Sequence, residues 1–103
     1  MTIETKQIVS QNRLIADTAT YAFVVSGFTS QPTAVLDVTV TYGNISGESD
    51  ELISLGGCTY AIASPKGVTI TSIVFGATSV TVTIENNAGF GKYVQDVLVT
   101  AIL

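Results

Sequence analysis

A chain of 103 residues, 47% of them hydrophobic and only 12% charged, is the size of one domain and too apolar to remain disordered. Its four basic residues, Lys6, Arg13, Lys66 and Lys92, are scattered among eight acidic ones for a net charge of −4, which speaks against a nucleic-acid surface built on clustered Lys and Arg. The lack of any histidine removes the commonest general base, the usual triad partner and the imidazole ligands of most zinc sites.

Cys58 is the only cysteine, so no intrachain disulfide forms. The first residues show no basic n-region ahead of a long apolar stretch, and no run approaches the roughly 20 residues of a membrane span. The expectation is one domain over residues 1–103, folded in a cytoplasm, with no membrane partner. A small chain this apolar must also expose apolar patches, and such patches mark partner surfaces.

In chain order, residues 2–9 alternate weakly and read as an edge strand or an arm (residues 1–11) that reaches to a neighbour. Residues 10–12 form a polar connection and 14–16 a short apolar stretch. A strand follows over 20–26, with Tyr21, Phe23 and Val25 on one face. Residues 27–33 have the glycine, serine and proline of a loop. Next comes the cleanest alternation, Leu36, Val38, Val40 and Tyr42 against Asp37, Thr39 and Thr41: one face dry, one wet. Gly43-Asn44 ends that strand, and 45–50 is an acidic loop. Residues 51–55 are read as a short strand in preference to a helical turn, and Gly56-Gly57 breaks the chain.

Residues 59–64 return to strand, and Ser64-Pro65-Lys66-Gly67 has turn spacing. Residues 67–85 are two strands joined by a tight connection over 76–79. Val68 and Ile70 alternate with Thr69 and Thr71 before Ile73, Val74 and Phe75 run together, as in a strand end covered on both faces. In the second strand Val80, Val82 and Ile84 face one way. Residues 86–91, rich in Asn and Gly, read as the most flexible loop. Tyr93, Gln95, Val97, Val99 and Ala101 share one side of a last, inner strand running to Leu103. The fragment TYAFVVS at Thr20 returns as TYAIAS at Thr59, a weak internal echo. No helical period occurs. Six to nine short strands in this length predict an all-β fold, an antiparallel two-sheet β-sandwich of immunoglobulin-like or jelly-roll kind.

Few groups suggest chemistry. Cys58 has no basic neighbour nearer in sequence than Lys66 to stabilise a thiolate, and is read as a small buried thiol or an inert surface one. Glu48, Asp50 and Glu51 offer oxygens to calcium, but without EF-hand spacing they read as a solvated loop. Gly89-Phe90-Gly91 lacks the Lys-Ser/Thr and the helix of a phosphate cradle; Phe90 either tucks against the sandwich or anchors a subunit contact. Tyr21, Phe23, Tyr42, Tyr60, Phe75 and Tyr93 are assigned to the core. Phe28, in its loop, is the aromatic to test for sugar stacking. No enzyme, cofactor or metal is expected.

A short, acidic, histidine-free chain rich in Val and Thr, with a polar starting arm and the apolar ending VLVTAIL, resembles the small structural proteins of tailed bacteriophages, the capsid decoration or cement proteins and small tail components. The resemblance lies in composition and pattern over the whole chain and rests on no motif. It implies a non-enzymatic virion protein, made in the host cytoplasm, that forms a homo-oligomer, binds other virion proteins of capsid or tail, and stabilises a lattice. The interface residues expected are Phe28, Phe90, Val97, Val99, Ile102 and Leu103. The alternative is a carbohydrate- or cell-surface-binding module.

Overall fold

In a computed structural model, residues 2–8, 12–45, 47, 51–56 and 67–103 are described, with only the backbone of 51–56. The strands are β1 (Ile3–Ile8), β2 (Arg13–Ile15), β3 (Thr20–Ser26), β4 (Ala34–Gly43), β5 (Glu51–Gly56), β6 (Val68–Phe75), β7 (Ser79–Asn86) and β8 (Lys92–Ile102), with no helix among the described residues. The protein is all-β, as its period-two patterning predicts. The expectations placed on residues 57–66 (Cys58, Tyr60, the strand over 59–64 and the turn before Gly67) and on Glu48 and Asp50 lie outside the described residues.

Two antiparallel sheets face each other. One runs β1-β8-β4-β5, with β2 continuing along the same edge of β8 as β1; the other runs β3-β7-β6. The order β3-β7-β6 against β8-β4-β5 is the B-E-D and F-C-C′ order of an immunoglobulin sandwich. The N-terminal pair β1 and β2 occupies the place beside the F-equivalent strand where that fold has its G strand. The opening segment is thus an edge strand, and β8 is an inner strand as expected.

The core is what alternation predicts: Phe23 and Val25 of β3, Val38, Val40 and Tyr42 of β4, Val80, Val82 and Ile84 of β7, and Val97, Val99 and Ala101 of β8 are all buried. The connection over 76–78 is a tight hairpin, closed by Gly76 N–H donating to the Ser79 carbonyl (2.8 Å).

The sequence pattern fails at three bulges. The β4–β8 register shifts between Val35 and Asp37, so Val35 replaces Leu36 on the buried face. A second shift pairs Thr41 with Asp96 but Tyr42 with Val94. Gln95 is the extra residue, so Lys92 and Val94, and not Tyr93, turn inward. The third lies between Ile70 and Ser72. Beyond it Ile73 packs on the core while Val74 is 57% and Phe75 37% exposed. The expectation that this strand end is covered on both faces is therefore corrected among the described residues: one inserted residue reverses the facing of all that follow.

At the opposite end from the bulged Gln95, β1 is tied to the β3–β4 loop. The Thr29 hydroxyl (2.6 Å) and then its backbone N–H (3.0 Å) donate to the Glu4 carboxylate and hold its carboxyl below the usual carboxylate range. A carboxylate whose folded value is depressed adds stability above its unfolded value, and that stability is lost as pH falls through the folded value. Melting points of the wild type and Glu4→Gln should therefore differ at neutral pH and converge in acid. A gap that persists in acid would assign the effect to packing.

Candidate functional site

The end of the sandwich where β2, the β4–β5 loop and the β7–β8 loop meet is the most elaborately bonded part of the described chain. Its base is Asn86, fully buried at the end of β7. The Asn86 side chain donates to the carbonyls of Ile15 (2.8 Å) and Phe90 (2.8 Å) and accepts from Ala88 N–H (2.9 Å). Its backbone N–H donates to Ala19 and its carbonyl accepts from Thr18. Gly89 N–H donates to Asp17, and Asn87 N–H to the carbonyl of Gly67. Gly67 has φ +82°, and a Cβ there would lie 2.7 Å from the Ala88 backbone, so only glycine fits. Residues 86–91, expected to be the loosest loop, are instead pinned to residues 15–19 and to Gly67.

A second polar cluster lies beside it. The Asn12 carboxamide oxygen accepts from Gln95 (2.9 Å) and from Gly47 N–H (2.8 Å), which gives the bulged Gln95 a partner and joins β2 to the β4–β5 loop. Lys92 is only 2% exposed. Its ammonium donates to the side-chain oxygen of Asn44 and lies 5.6 Å from the Tyr42 ring centroid and 4.9 Å from that of Phe90. Arg13 stacks over Tyr21, 4.4 Å from its centroid, and Tyr21 in turn packs on Phe23. Both cations rest on aromatic faces, where the ring quadrupole offsets part of the lost hydration.

Above this base three apolar side chains stand in solvent: Leu14 (50% exposed), Ile45 (60%) and Phe90 (52%). They are linked through residues next to them in the chain. Leu14 reaches Gly91, next to Phe90, and Lys92 bridges Phe90 to Asn44, next to Ile45.

Of the six interface residues expected from sequence, Phe90 is exposed, and Ile102 and Leu103 are half-buried. Phe28, Val97 and Val99 are corrected: all three are sealed in the chain's own core and present nothing to a partner. Phe28 folds under the sandwich because its N–H bonds the Thr78 carbonyl (3.1 Å), drawing the loop over the end of the core. Phe28→Ala would therefore open a cavity and says nothing about sugar stacking. Of the aromatics assigned to the core, Phe23 and Tyr42 are buried, Tyr21 and Tyr93 half-buried and Phe75 partly exposed. Leu14 and Ile45 carry no signal in the sequence: one lies in a three-residue strand and the other in a loop, and neither has an alternation around it to mark its facing.

No cluster of acidic or cysteine side chains among the described residues is arranged to hold a metal ion. The chain matches no protein-family model, no curated protein and no solved structure.

Proposed function

We propose that this chain is a non-enzymatic structural protein of a virion, a capsid decoration or cement protein or a small tail component, that self-associates and stabilises a protein lattice. The observation that supports this reading is the group Leu14, Ile45 and Phe90, held in water on a rigid, internally bonded base. A group already ordered loses little conformational entropy on docking, and the exposed aromatic in it is the side-chain type that dominates interface energies. Many copies on a lattice multiply a modest gain per site. The scattered cations and net charge of −4 direct the partnership toward protein and away from nucleic acid.

A carbohydrate- or cell-surface-binding module is the second reading, favoured by the exposed Phe90 ring with the Asn44 carboxamide nearby. Phe90→Ala decides between them. Under the lattice reading the wild type is an oligomer by light scattering or sediments with capsids or tails, and the variant weakens that association by roughly tenfold or more while keeping its fold. A strict monomer that ignores both assemblies overturns the reading, and retention on a glycan array that Phe90→Ala abolishes establishes the second.

A further inference from the structure

Lysine is among the side chains least often buried, yet Lys92 is 2% exposed and directs its amine at a carboxamide. The two residues are brought together by the ladder: Gly43, the last residue of β4, pairs with Tyr93, so Asn44 leaves the sheet beside Lys92 at the start of β8. The rings of Tyr42 and Phe90 flank the amine at 5.6 and 4.9 Å to their centroids. An amine held by packing at a carboxamide group, its other sides lined by aromatic rings, meets two requirements for an intramolecular acyl transfer: proximity and orientation.

The geometry points to a covalent amide between Lys92 Nζ and Asn44 Cγ, an internal crosslink that fastens the end of β4 to the start of β8. The ammonium gives one proton to solvent and its nitrogen attacks Cγ, forming the new C–N bond; a second proton passes from Nζ to the departing nitrogen; the Cγ–Nδ2 bond breaks and ammonia leaves, taking up a proton from solvent. Overall, a lysine ammonium and an asparagine carboxamide become a secondary amide and an ammonium ion. No oxidant, reductant or co-reactant is needed. The crosslink is independent of any lattice role, since it joins two strands of one chain.

Intact-mass measurement of the purified full chain tests this. The folded wild type should be lighter than its sequence by about 17 Da, the mass of ammonia, and Lys92→Met and Asn44→Ala should each restore the full mass. Because Asn44 is exposed, Asn44→Ala folds even if Lys92→Met does not. An acylated lysine resists trypsin, so digestion should yield residues 14–66 joined to 67–103 in place of a cut after Lys92. Closing a long loop acts on the unfolded chain as a disulfide does, so Asn44→Ala should melt lower by roughly 10 °C or more. A folded wild type at full mass, cut by trypsin after Lys92, overturns the crosslink and leaves an ordinary buried lysine capped by an amide.

Discussion

Asn86→Ala should lower the free energy of unfolding by about 3 kcal/mol and the melting point by roughly 12–24 °C. The side chain is fully buried and satisfies two carbonyls and one N–H at once. Truncation to alanine removes all three bonds while leaving their partners in place, and a buried polar group left unmade costs about 1–3 kcal/mol. The Ile15 carbonyl, in a buried bond, bears most of that cost; the groups at Phe90 and Ala88 are part-buried and recover some of it from water. Asn86→Asp should be worse than alanine despite its matching shape. It replaces the donating NH2 with an oxygen that faces two carbonyl oxygens at hydrogen-bonding distance, in a site where ionisation is costly. Circular-dichroism melts of the three proteins check the order wild type, alanine, aspartate. A melting point for Asn86→Ala within a few degrees of wild type would mean that the base of this end is held by the backbone and not by the amide.

That hub illustrates what a sequence hides. The facing of β3, of β7 and of the middle of β4 was legible because Phe23 and Val25, Val80 to Ile84 and Val38 to Tyr42 obey a two-residue period that buries one side of a sheet. Inserted residues were not, since Leu36, Thr71 and Gln95 fit the local alternation and reverse it only when a partner strand fixes the register. Asn86 and Asn87 look alike as turn formers, and composition does not separate an asparagine that caps a loop in water from one that replaces missing backbone partners inside it. Phe28 sits in a stretch with every mark of an exposed loop, and what buries it is a bond to Thr78, 50 residues on. The Lys92 and Asn44 pair is equally hidden. The two residues are 48 apart in the chain, and only the antiparallel pairing of β4 with β8 joins them.

Ending the chain at Asp96 should abolish cooperative folding altogether. All six β1 pairs, from Ile3 with Ile102 to Ile8 with Val97, depend on the lost segment, and so does the pairing of β4 from Ala34 to Val40. Val97, Val99 and Ala101, each with no exposed surface, leave the core with it. Burial of each valine contributes about 1.5–3 kcal/mol, and the ladders on both sides go as well, so the loss rivals the about 5–15 kcal/mol that holds a whole domain together. Because β8 stands between β1 and β4, its removal splits the larger sheet through the middle instead of trimming an edge. The first strand and the last therefore fold only with each other, and this long-range closure also predicts folding in the ms–s range of β-sandwiches. The truncated chain should show no thermal transition and should bind an apolar dye such as ANS, whereas Ile3→Thr, which changes a half-exposed edge residue, should melt within a few degrees of wild type. A cooperative melt from the truncated chain would mean that the three-stranded sheet and the remaining strands form a core without β8, and the arrangement of two sheets closed by the paired chain ends would then be wrong.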